Sequence, residues 1–281
     1  MTPYPAKKVS AEAAADVDAS RGMPYSIVVA CGPYCPSNTL DFSAFSQLIK
    51  TLVRNPPDVL ILTGPFLDVD NSAVVTSLED CNILFRDSFS KFLLMLDRVG
   101  CRVVVVPSVT DMTASTCMLP QTPFSEKLFP DSTLRYTVLA PNPCILQLDN
   151  GMTIGVTSTD VIGHMSSSFV QPPGMHPDRL KDICSTLVAE RSFYPLRPCH
   201  ESVAIHTNYS NKLFFPGITP DLLVLPSSLV QFAYTLPLPK DTSCTCVNPG
   251  RLVRGNVLGS YMHIVADPVT HQVTRVSKMQ L

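Results

Sequence analysis

The amino-acid sequence predicts an α/β domain with a parallel sheet covered by helices. Three apolar runs of strand length lie in the first half of the chain, at Tyr25–Cys31, Asp58–Thr63 and Arg102–Val106. Segments with helical periodicity separate them. Strands that alternate with helices form parallel sheets, because each helix returns the chain to the same end of the sheet. With 281 residues and 45% apolar content, the chain can bury a substantial core.

The three apolar runs are nearly continuous, which is typical of strands buried on both faces. The first two end in Gly-Pro pairs, Gly32-Pro33 and Gly64-Pro65, and the third ends at Pro107. Because proline cannot donate to a sheet, each of these positions predicts the end of a strand.

Two amphipathic helices are predicted between the strands. In Asp41–Arg54, apolar residues recur at i, i+3, i+4 and i+7, and Asn55 with the two prolines after it ends the pattern. Asp80–Val99 has the same character, and Gly100 is a natural C-terminal stop. The apolar positions that carry these predictions are Phe45, Leu48, Ile49, Leu52, Phe85, Phe89, Phe92, Leu96 and Val99.

The second half of the chain is less regular. A hairpin is predicted between Cys144–Leu148 and Met152–Val156, since the Asn150-Gly151 pair tolerates the positive φ angles of a tight turn. Asp178–Arg191 has the apolar face of a helix. Four further strands are predicted, of which the last two pair across a turn at Asp267: Asp221–Leu225, Cys244–Val247, Tyr261–Val265 and Val273–Val276.

Residues 1–22 are predicted to be a disordered linker or tail, and residues 23–281 a folded domain. Ala, Ser, Asp and Glu dominate residues 10–20 and leave no apolar stripe to bury. Proline is frequent, with 26 residues in 281, and many lie at 107–143 and 171–220. Those stretches are predicted to be long loops, which often carry function on a rigid scaffold.

Charge and hydropathy exclude several classes of function. The net charge of −2 and the pI near 6.3 argue against a general DNA-binding surface, because such a surface needs many cations to neutralise phosphates. We therefore expect DNA to be contacted only indirectly, through a partner. No apolar run approaches the roughly 20 residues that span a bilayer, so no membrane contact is predicted.

The ten cysteines are predicted to be free thiols rather than a disulfide framework. There is no N-terminal apolar signal region, which favours a reducing compartment. Cys31, Cys101, Cys144 and Cys184 lie in or beside apolar stretches, where a free thiol behaves as a small hydrophobe. Cys244 and Cys246 are predicted to face opposite sides of a strand. A zinc site there is the alternative, but it lacks two nearby ligands.

Ligands of open α/β sheets gather outside the carboxyl ends of the strands. The predicted strand ends carry mostly Pro, Gly and Ser, whereas a two-metal hydrolase needs carboxylates, imidazoles or amides there. The sequence therefore predicts a poor metal site and no cofactor. The strand-end segments are Gly32 to Tyr34, Gly64 to Phe66, Pro107 to Val109, Pro226 to Ser228 and Asn248 to Gly250.

Other catalytic motifs are also missing from the sequence. It contains no G-x-x-x-x-G-K-[ST] phosphate loop and no G-x-S-x-G nucleophile elbow. His164 follows Asp160 closely and is a conceivable base. The favoured interpretation is that Asp160 and the neighbouring hydroxyls satisfy backbone donors at a turn. His206 has no carboxylate near it in the sequence, which favours a structural role.

Several segments, in order along the chain, resemble one family. The first is Val28 to Tyr34, followed by Pro57 to Asp68 and Val105 to Ser108. The later ones are Gly155 to Asp160, Arg191 to Leu196, Thr219 to Ser227 and Cys246 to Leu252. Together, over about residues 25–265, they resemble the phosphoesterase-like domain of the B (second) subunits of DNA polymerase alpha–primase, within the family of DNA polymerase alpha and epsilon B subunits.

The resemblance implies a calcineurin-like metallophosphoesterase fold, a β-sandwich flanked by helices, that has lost its metal ligands. Active relatives carry D-x-H, G-D, G-N-H-D and G-H-x-H motifs at their strand ends. Only Asp111, with His206 as a second candidate, keeps the original chemistry here. The degenerate positions are Gly32, Tyr34, Pro65, Val109, Thr110, Asp111, His206, Ser227 and Leu229.

The resemblance also implies a function. It predicts a nuclear, non-catalytic scaffold subunit in the initiation of DNA replication, which binds the C-terminal region of the polymerase alpha catalytic subunit and reaches primase through the complex. An N-terminal helical module and an oligonucleotide/oligosaccharide-binding barrel precede this domain in the family, and residues 1–22 are too few to hold them. Two alternatives stay open: an active phosphoesterase with atypical ligands, and the B subunit of another replicative polymerase.

Four aromatic residues are candidates for the contact with a partner. Phe193, Tyr194, Phe214 and Phe215 lie among prolines within residues 192–220, without the periodicity of a core segment. Aromatic anchors are typical of stable interfaces. The alternative is that they pack this loop onto its own sheet.

Overall fold

A computed structural model of the chain describes residues 23–130, 135–168, 178–239 and 242–281. The predicted linker, residues 1–22, lies outside the described residues. The model contains two large sheets and five α-helices among the described residues.

The first sheet has six strands in the order β15-β14-β1-β2-β3-β5. Strands β1, β2, β3 and β5 are parallel, and β14 and β15 are antiparallel to their neighbours. The parallel arrangement of the first three strands, predicted from the sequence, is confirmed. The strands are β1 (Tyr25–Cys31), β2 (Val59–Thr63), β3 (Arg102–Val106), β5 (Thr137–Leu139), β14 (Ser260–Ala266) and β15 (Val273–Gln280).

The second sheet has five strands in the order β10-β11-β9-β7-β6. The predicted hairpin is confirmed, with β6 and β7 antiparallel and Gly151 at a φ of 95° in the turn. The strands are β6 (Cys144–Gln147), β7 (Thr153–Val156), β9 (Leu222–Val224), β10 (Phe232–Pro237) and β11 (Ser243–Asn248). Short strands form two further pairs: β4 (Met118–Leu119) with β8 (Ala204–Ile205), and β12 (Val253–Arg254) with β13 (Val257–Leu258).

Two helical pairs lie on the outer faces of the two sheets. The helices are α1 (Ser43–Arg54), α2 (Ser72–Val75), α3 (Cys81–Asp97), α4 (Val161–Ser168) and α5 (Arg179–Ala189). The three helices predicted from periodicity, α1, α3 and α5, are confirmed. None of the helices in the described part of the chain is both long and apolar enough to cross a membrane.

Alternate residues of the strands separate the core into layers, because successive side chains of a strand point to opposite faces. Val28 and Leu60 pack under α1 and α3, whereas Ile27 and Ile61 pack against the second sheet. A third cluster joins the outer face of the second sheet to α4 and α5. Helices therefore cover only one face of the parallel sheet, and the other sheet covers its second face. This is the predicted sandwich flanked by helices.

The prediction for Cys244 and Cys246 is wrong. Both side chains are buried in the cluster beneath α4 and α5, because residues two apart on a strand share a face. The broader prediction about the thiols is confirmed, since all ten cysteines are free. Burial raises the pKa of Cys31, Cys101 and Cys144 to about 12, so these thiols stay protonated near neutral pH.

Candidate functional site

The strand ends of both sheets meet at one edge of the sandwich, which we call the exit edge. We call the loops that follow β1, β2, β3, β7, β9 and β11 the exit loops, residues 32–36, 64–70, 107–112, 157–160, 226–231 and 249–251. They contact one another across the two sheets, because the Ser158 hydroxyl donates to the Pro107 carbonyl at 2.7 Å. Directly after the last loop, the Leu252 N–H donates to the carbonyl of Cys31, the final residue of β1, at 2.8 Å. This edge is where a ligand of the fold is expected.

Asp111 is the acidic group at the centre of the exit loops, and its carboxylate is occupied by backbone donors. One oxygen accepts the N–H groups of Phe66 and Leu67, the latter at 3.1 Å. The other accepts the Ser108 N–H at 2.7 Å. The side chain is buried. Asp111 therefore joins the loop after β2 to the loop after β3.

Burial dominates the ionisation of this carboxyl group. It raises the pKa of Asp111 to about 7, although the N–H groups of Ser108, Phe66 and Leu67 favour the charged form. Burial also raises the pKa of the neighbouring Asp68, and the positive charge of Arg251 opposes that shift. No lysine or arginine forms a direct ion pair with Asp111 among the described residues.

Gly64 and Gly32 are needed for close approach between the loops. A β-carbon on Gly64 would overlap the Asp111 carboxylate and lie 2.7 Å from the Ser108 nitrogen. A β-carbon on Gly32 would overlap the backbone of Pro65. Neither glycine has a positive φ. The two glycines therefore shape these loops through tight packing rather than through a left-handed turn.

Tyr34 faces the core rather than the exit edge. Its hydroxyl lies 3.0 Å from the Ala30 carbonyl and 2.9 Å from the Thr63 carbonyl, to which it donates. Its ring stacks on Phe66 with centroids 5.0 Å apart, and meets Phe45 edge-on at 4.9 Å. Burial raises the pKa of Tyr34 well above its ordinary value, so the phenol remains neutral. Tyr34 fills space beneath the exit loops.

Two buried amides, which sequence reasoning missed, connect the exit loops of the two sheets. Asn142 accepts from the Thr157 hydroxyl at 3.0 Å and from the Ser158 N–H at 3.1 Å. Its amide donates to the Gln121 side chain at 2.8 Å, and Gln121 donates to the Ser108 carbonyl at 2.9 Å. The sequence offered only a weak signal, because both amides lie in the proline-rich stretch 107–143, where polar residues usually indicate exposed loops.

Asp160 and Asn248 form similar hydrogen bonds to the exit loops of the second sheet. Asp160 accepts from the Gly163 N–H at 2.8 Å, and from the N–H and hydroxyl of Ser228 at 2.8 and 2.9 Å. Asn248 accepts from the N–H groups of Ser227 and Gly250 at 3.0 and 2.9 Å. The prediction that Asp160 satisfies backbone donors is confirmed.

The remaining degenerate positions pack or form hydrogen bonds within the exit loops. The backbone of Pro65 packs against Gly32. The Thr110 N–H lies 3.3 Å from the Ser108 hydroxyl, and the Leu229 N–H donates to the Ser227 hydroxyl at 3.2 Å. Val109 and Leu229 are half-buried against the core of the second sheet.

The two histidines considered in the sequence lie in local contacts. His206 precedes the 3₁₀ helix Thr207–Leu213, donates its N–H to the Leu119 carbonyl at 2.7 Å and has its ring 4.7 Å from that of Tyr209. His164 lies 3.1 Å from the Tyr194 hydroxyl and stacks on His200. Burial lowers the pKa of His164, and His200 lowers it further.

The described residues contain no group of three or more His, Cys, Asp or Glu side chains placed to hold one metal ion. Asp111 stands among backbone N–H groups, a glycine and a serine, and Asp68 is a second carboxylate beside it. Two-metal hydrolysis needs several oxygen and nitrogen ligands that converge on cations about 3.5–4 Å apart. The donor set at the exit edge does not fit such a pair.

Three of the four aromatic candidates for partner contact lie in the core. Phe193, Tyr194 and Phe215 are buried beneath α4 and α5, and the rings of Phe193 and Phe215 meet edge-on at 4.9 Å. For these three, the structure supports the alternative that they pack the loop onto its own sheet. Phe214 is 48% exposed, because it alternates with Phe215. Its contact with a partner stays a prediction.

The fold and its exit loops define a class of protein: a layered α/β sandwich whose strand ends are joined by backbone-bound polar side chains. The model of one family, the B subunits of DNA polymerases alpha and epsilon, matches residues 27–234. The chain belongs to this family of DNA polymerase alpha/epsilon B subunits.

Curated relatives agree with that family. The chain is 34% identical over 243 residues to the B subunit of DNA polymerase alpha from Rattus norvegicus, a match that covers 84% of this chain and 38% of the relative. It is 27% identical over 284 residues to the protein of the same name from Schizosaccharomyces pombe, covering 95% of this chain and 46% of the relative. The chain thus spans less than half the length of these relatives.

Solved structures show a more distant likeness. A phosphatase from Mycoplasma pneumoniae is 11% identical, with a TM-score of 0.36, over 92% of this chain and 94% of its own. Vps29 from Entamoeba histolytica, in complex with Zn²⁺, is 10% identical, with a TM-score of 0.35, over 91% of this chain and 98% of its own.

Replacement of Gly64 by alanine should destabilise the protein, because the added methyl group would displace Asp111 or Ser108 in a fully packed site. We expect a loss of about 1–3 kcal/mol in the free energy of unfolding, measured by urea denaturation. Gly217→Ala is the matched control. A β-carbon at Gly217 would meet no neighbouring atom, but the residue has a φ of 84°. Its replacement should therefore cost only the backbone strain of a left-handed residue, about 1–2 kcal/mol. In the double variant Gly64→Ala with Asp111→Ala, the loss of unfolding free energy should be smaller than the sum of the two single losses. If it is not smaller, the proposed overlap with Asp111 is wrong.

Asp111 should make the protein less stable as pH rises from 4 to 7. Because its pKa is raised from 3.8 to about 7 in the folded state, the contribution of its proton is fully present below about pH 4 and is lost as pH rises through 7. Asp111→Asn removes this titration. The stability of the natural chain relative to the variant should therefore fall between pH 4 and 7, by roughly 1.4 kcal/mol per unit of pKa shift. Urea denaturation of both proteins across this range is the measurement, and a constant difference would contradict the raised pKa.

Proposed function

We propose that this chain is a non-catalytic accessory subunit of DNA polymerase alpha–primase, which acts as a scaffold in the initiation of DNA replication. Membership of the family and the names of the curated relatives support the replication role. Relatives from rat, fruit fly and fission yeast are each named as the B subunit of DNA polymerase alpha, which favours this assignment over another replicative polymerase. Residues 23–281 form, in this proposal, one inactive phosphoesterase-like domain.

The single observation that carries the non-catalytic assignment is the state of Asp111. Both of its oxygens accept backbone N–H groups from the exit loops. To bind a cation, Asp111 would have to leave three donors without partners, at a cost of about 1–3 kcal/mol for each buried group. Apart from a second carboxylate, Asp68, the neighbouring positions supply Gly, Pro, Ser and Thr. A domain derived from a metallophosphoesterase that lost its ligands would look like this.

The proposed partner is the C-terminal region of the polymerase alpha catalytic subunit, with primase reached through the complex and the nucleus as the location. The scaffold role fits a molecule whose exit loops are rigid. Contact with DNA is proposed to be indirect, since the net charge of −2 gives the chain no general attraction for phosphates.

The first test is enzymatic. The purified chain, supplied with Mn²⁺, Mg²⁺ or Zn²⁺, should hydrolyse neither a phosphodiester nor a phosphomonoester above a blank, and calorimetry should show no stoichiometric binding of these ions. An activity that persists through purification and disappears in Asp111→Ala or His206→Ala would establish the alternative, an active phosphoesterase with atypical ligands. Gln47→Ala, on the exposed side of α1, is the control for nonspecific effects of substitution.

The second test separates interface from core in the aromatic loop. Phe214→Ser should change the stability by less than about 0.5 kcal/mol, because the ring is exposed, while it weakens co-purification with the C-terminal region of the catalytic subunit. Phe215→Ser is the matched neighbour, and it should cost about 3–5 kcal/mol because it empties a core site. Thermal melts and co-expression with affinity capture measure the two effects. Unchanged capture of Phe214→Ser would remove this residue from the interface.

A further inference from the structure

Cationic and apolar side chains come together at one corner of the exit edge. The chain has a net charge of −2, yet residues 242–281 contain four Lys and Arg residues and a single acidic residue, Asp267. Asp267 lies in the turn between β14 and β15, at the opposite end of those strands from Ser260 and Gln280. Within this segment of the chain, cations therefore outnumber acids at the corner near β12, β13 and the end of β15, and the Asp160 carboxylate bonds to Ser228 in the adjoining loop.

Two of these cations flank an exposed valine. The Arg254 guanidinium donates to the Leu229 carbonyl at 3.3 Å, and the Lys278 ammonium donates to the Gln231 carbonyl at 2.8 Å. Val230, which lies between Leu229 and Gln231 in the chain, is 66% exposed. Since carbonyl groups carry no net charge, both positive charges remain uncompensated. Among the described residues, no carboxylate forms an ion pair with either cation.

The hairpin of β12 and β13 adds further apolar surface beside Arg254. Val257 is the cross-strand partner of Arg254, so both project from the same face of the hairpin. Val257 is 68% exposed. Leu258 is the cross-strand partner of the buried Val253 and projects from the opposite face, so it lies outside this surface. We call Val230, Arg254, Val257 and Lys278 the exit-edge patch.

Backbone contacts hold the patch in place. The Asn248 amide donates to the carbonyls of Leu229 and Val230 at 3.2 and 3.1 Å. The Gly255 carbonyl accepts the Ser37 N–H at 3.2 Å, which fixes the tip of the hairpin to the loop after β1. Pre-organised surfaces lose little conformational entropy when a partner binds. Exposed aliphatic side chains on such a fixed loop are typical of an interaction site rather than of a mobile surface.

From this geometry we propose that the exit-edge patch binds an acidic peptide segment that carries aliphatic side chains, contributed by a protein partner. Its carboxylates pair with Arg254 and Lys278, and its aliphatic groups cover Val230 and Val257. A nucleic acid fits less well. Single-stranded nucleic acid needs a longer basic groove with aromatic side chains on which bases stack, whereas the patch has two cations and only aliphatic groups.

This inference deepens the scaffold proposal, because it gives that scaffold a partner-binding surface, but its test needs no polymerase. The purified 281-residue chain is mixed with a short fluorescein-labelled peptide of alternating Glu and Leu, and fluorescence anisotropy measures binding at low and high salt. The probes for comparison are the same peptide with Gln in place of Glu, the same peptide with Ser in place of Leu, and a labelled oligo-dT. The expected result is binding of the Glu-Leu peptide that weakens with salt, and weaker binding of the three comparison probes.

Variants locate the binding surface. The double change Arg254→Glu with Lys278→Glu should weaken binding of the Glu-Leu peptide by at least roughly tenfold, which corresponds to about 1.4 kcal/mol. Val230→Ser with Val257→Ser should weaken it by a similar factor. The matched control combines Arg275→Glu with Val269→Ser, a cation and an exposed valine outside the patch, and should bind as the natural chain does. Arg254→Gln with Lys278→Gln keeps an N–H donor at each carbonyl, so it separates loss of charge from loss of the loop contact.

Each outcome bears on the proposal. Equal binding by the patch variants and the control, or no binding of the Glu-Leu peptide, overturns it. Stronger binding of oligo-dT, weakened by charge reversal but not by the serine changes, replaces the peptide with a nucleic acid and overturns it as well. Melting curves identify any variant that fails to fold, and the glutamine variant then decides the result. Failure of co-purification with the catalytic subunit would affect the scaffold proposal and leave this measurement unchanged.

Discussion

The exit edge depends on one carboxylate. Asp111 accepts three backbone N–H groups from two loops, and both loops follow central strands of the six-stranded sheet. The interaction requires Gly64, because any β-carbon there would occupy the position of the carboxylate. It also determines where Phe66 enters the core, since the N–H of Phe66 is one of the donors. The stack of Phe66 on Tyr34 follows directly from that anchor.

Around the exit edge, other polar side chains also connect two loops each. Asn142, Asp160 and Asn248 each connect two loops, and most of their partners are backbone N–H groups. Loops that carry a catalytic centre leave polar groups free for substrate or metal. Here the polar groups stabilise the loops themselves, which is consistent with a surface that presents a fixed shape to other proteins. These bonds make the edge a structural junction between the two sheets.

Periodicity predicted most of the layers, because it reports directly on burial. Phe45, Leu48 and Leu52 share one face of α1, and all are buried as the spacing indicated. Strand β10 was missed since its polar alternation, with Thr235 and Pro237, does not resemble an apolar run. Helix α4 was missed because Gly163 and three serines weaken its helical signal.

The contacts of the exit edge were harder to predict than the layers. The Gly-Pro pairs indicated correctly where β1 and β2 end. Two of the three partners of Asp111 could not be derived, because the N–H groups of Phe66 and Leu67 lie 45 and 44 positions earlier in the chain. The burial of Phe215 beside an exposed Phe214 was also beyond the sequence, since an irregular loop has no period from which to read its inner face. Side chains that bond to the backbone leave no pattern in the sequence.

The outer strands of the two sheets have a consequence for self-association. Strand β15 is eight residues long and lies at the open edge of the first sheet, so its free backbone groups are a template for a further strand from another molecule. Arg275 and Lys278 on that strand oppose such pairing, because two copies would bring like charges together. Strand β10, at the edge of the second sheet, ends in Pro237, which has no N–H to donate. The two large sheets have four edge strands, the others being β5 and β6. At β15 and β10 the sandwich is thereby protected against edge-to-edge polymerisation, a hazard at high local concentration.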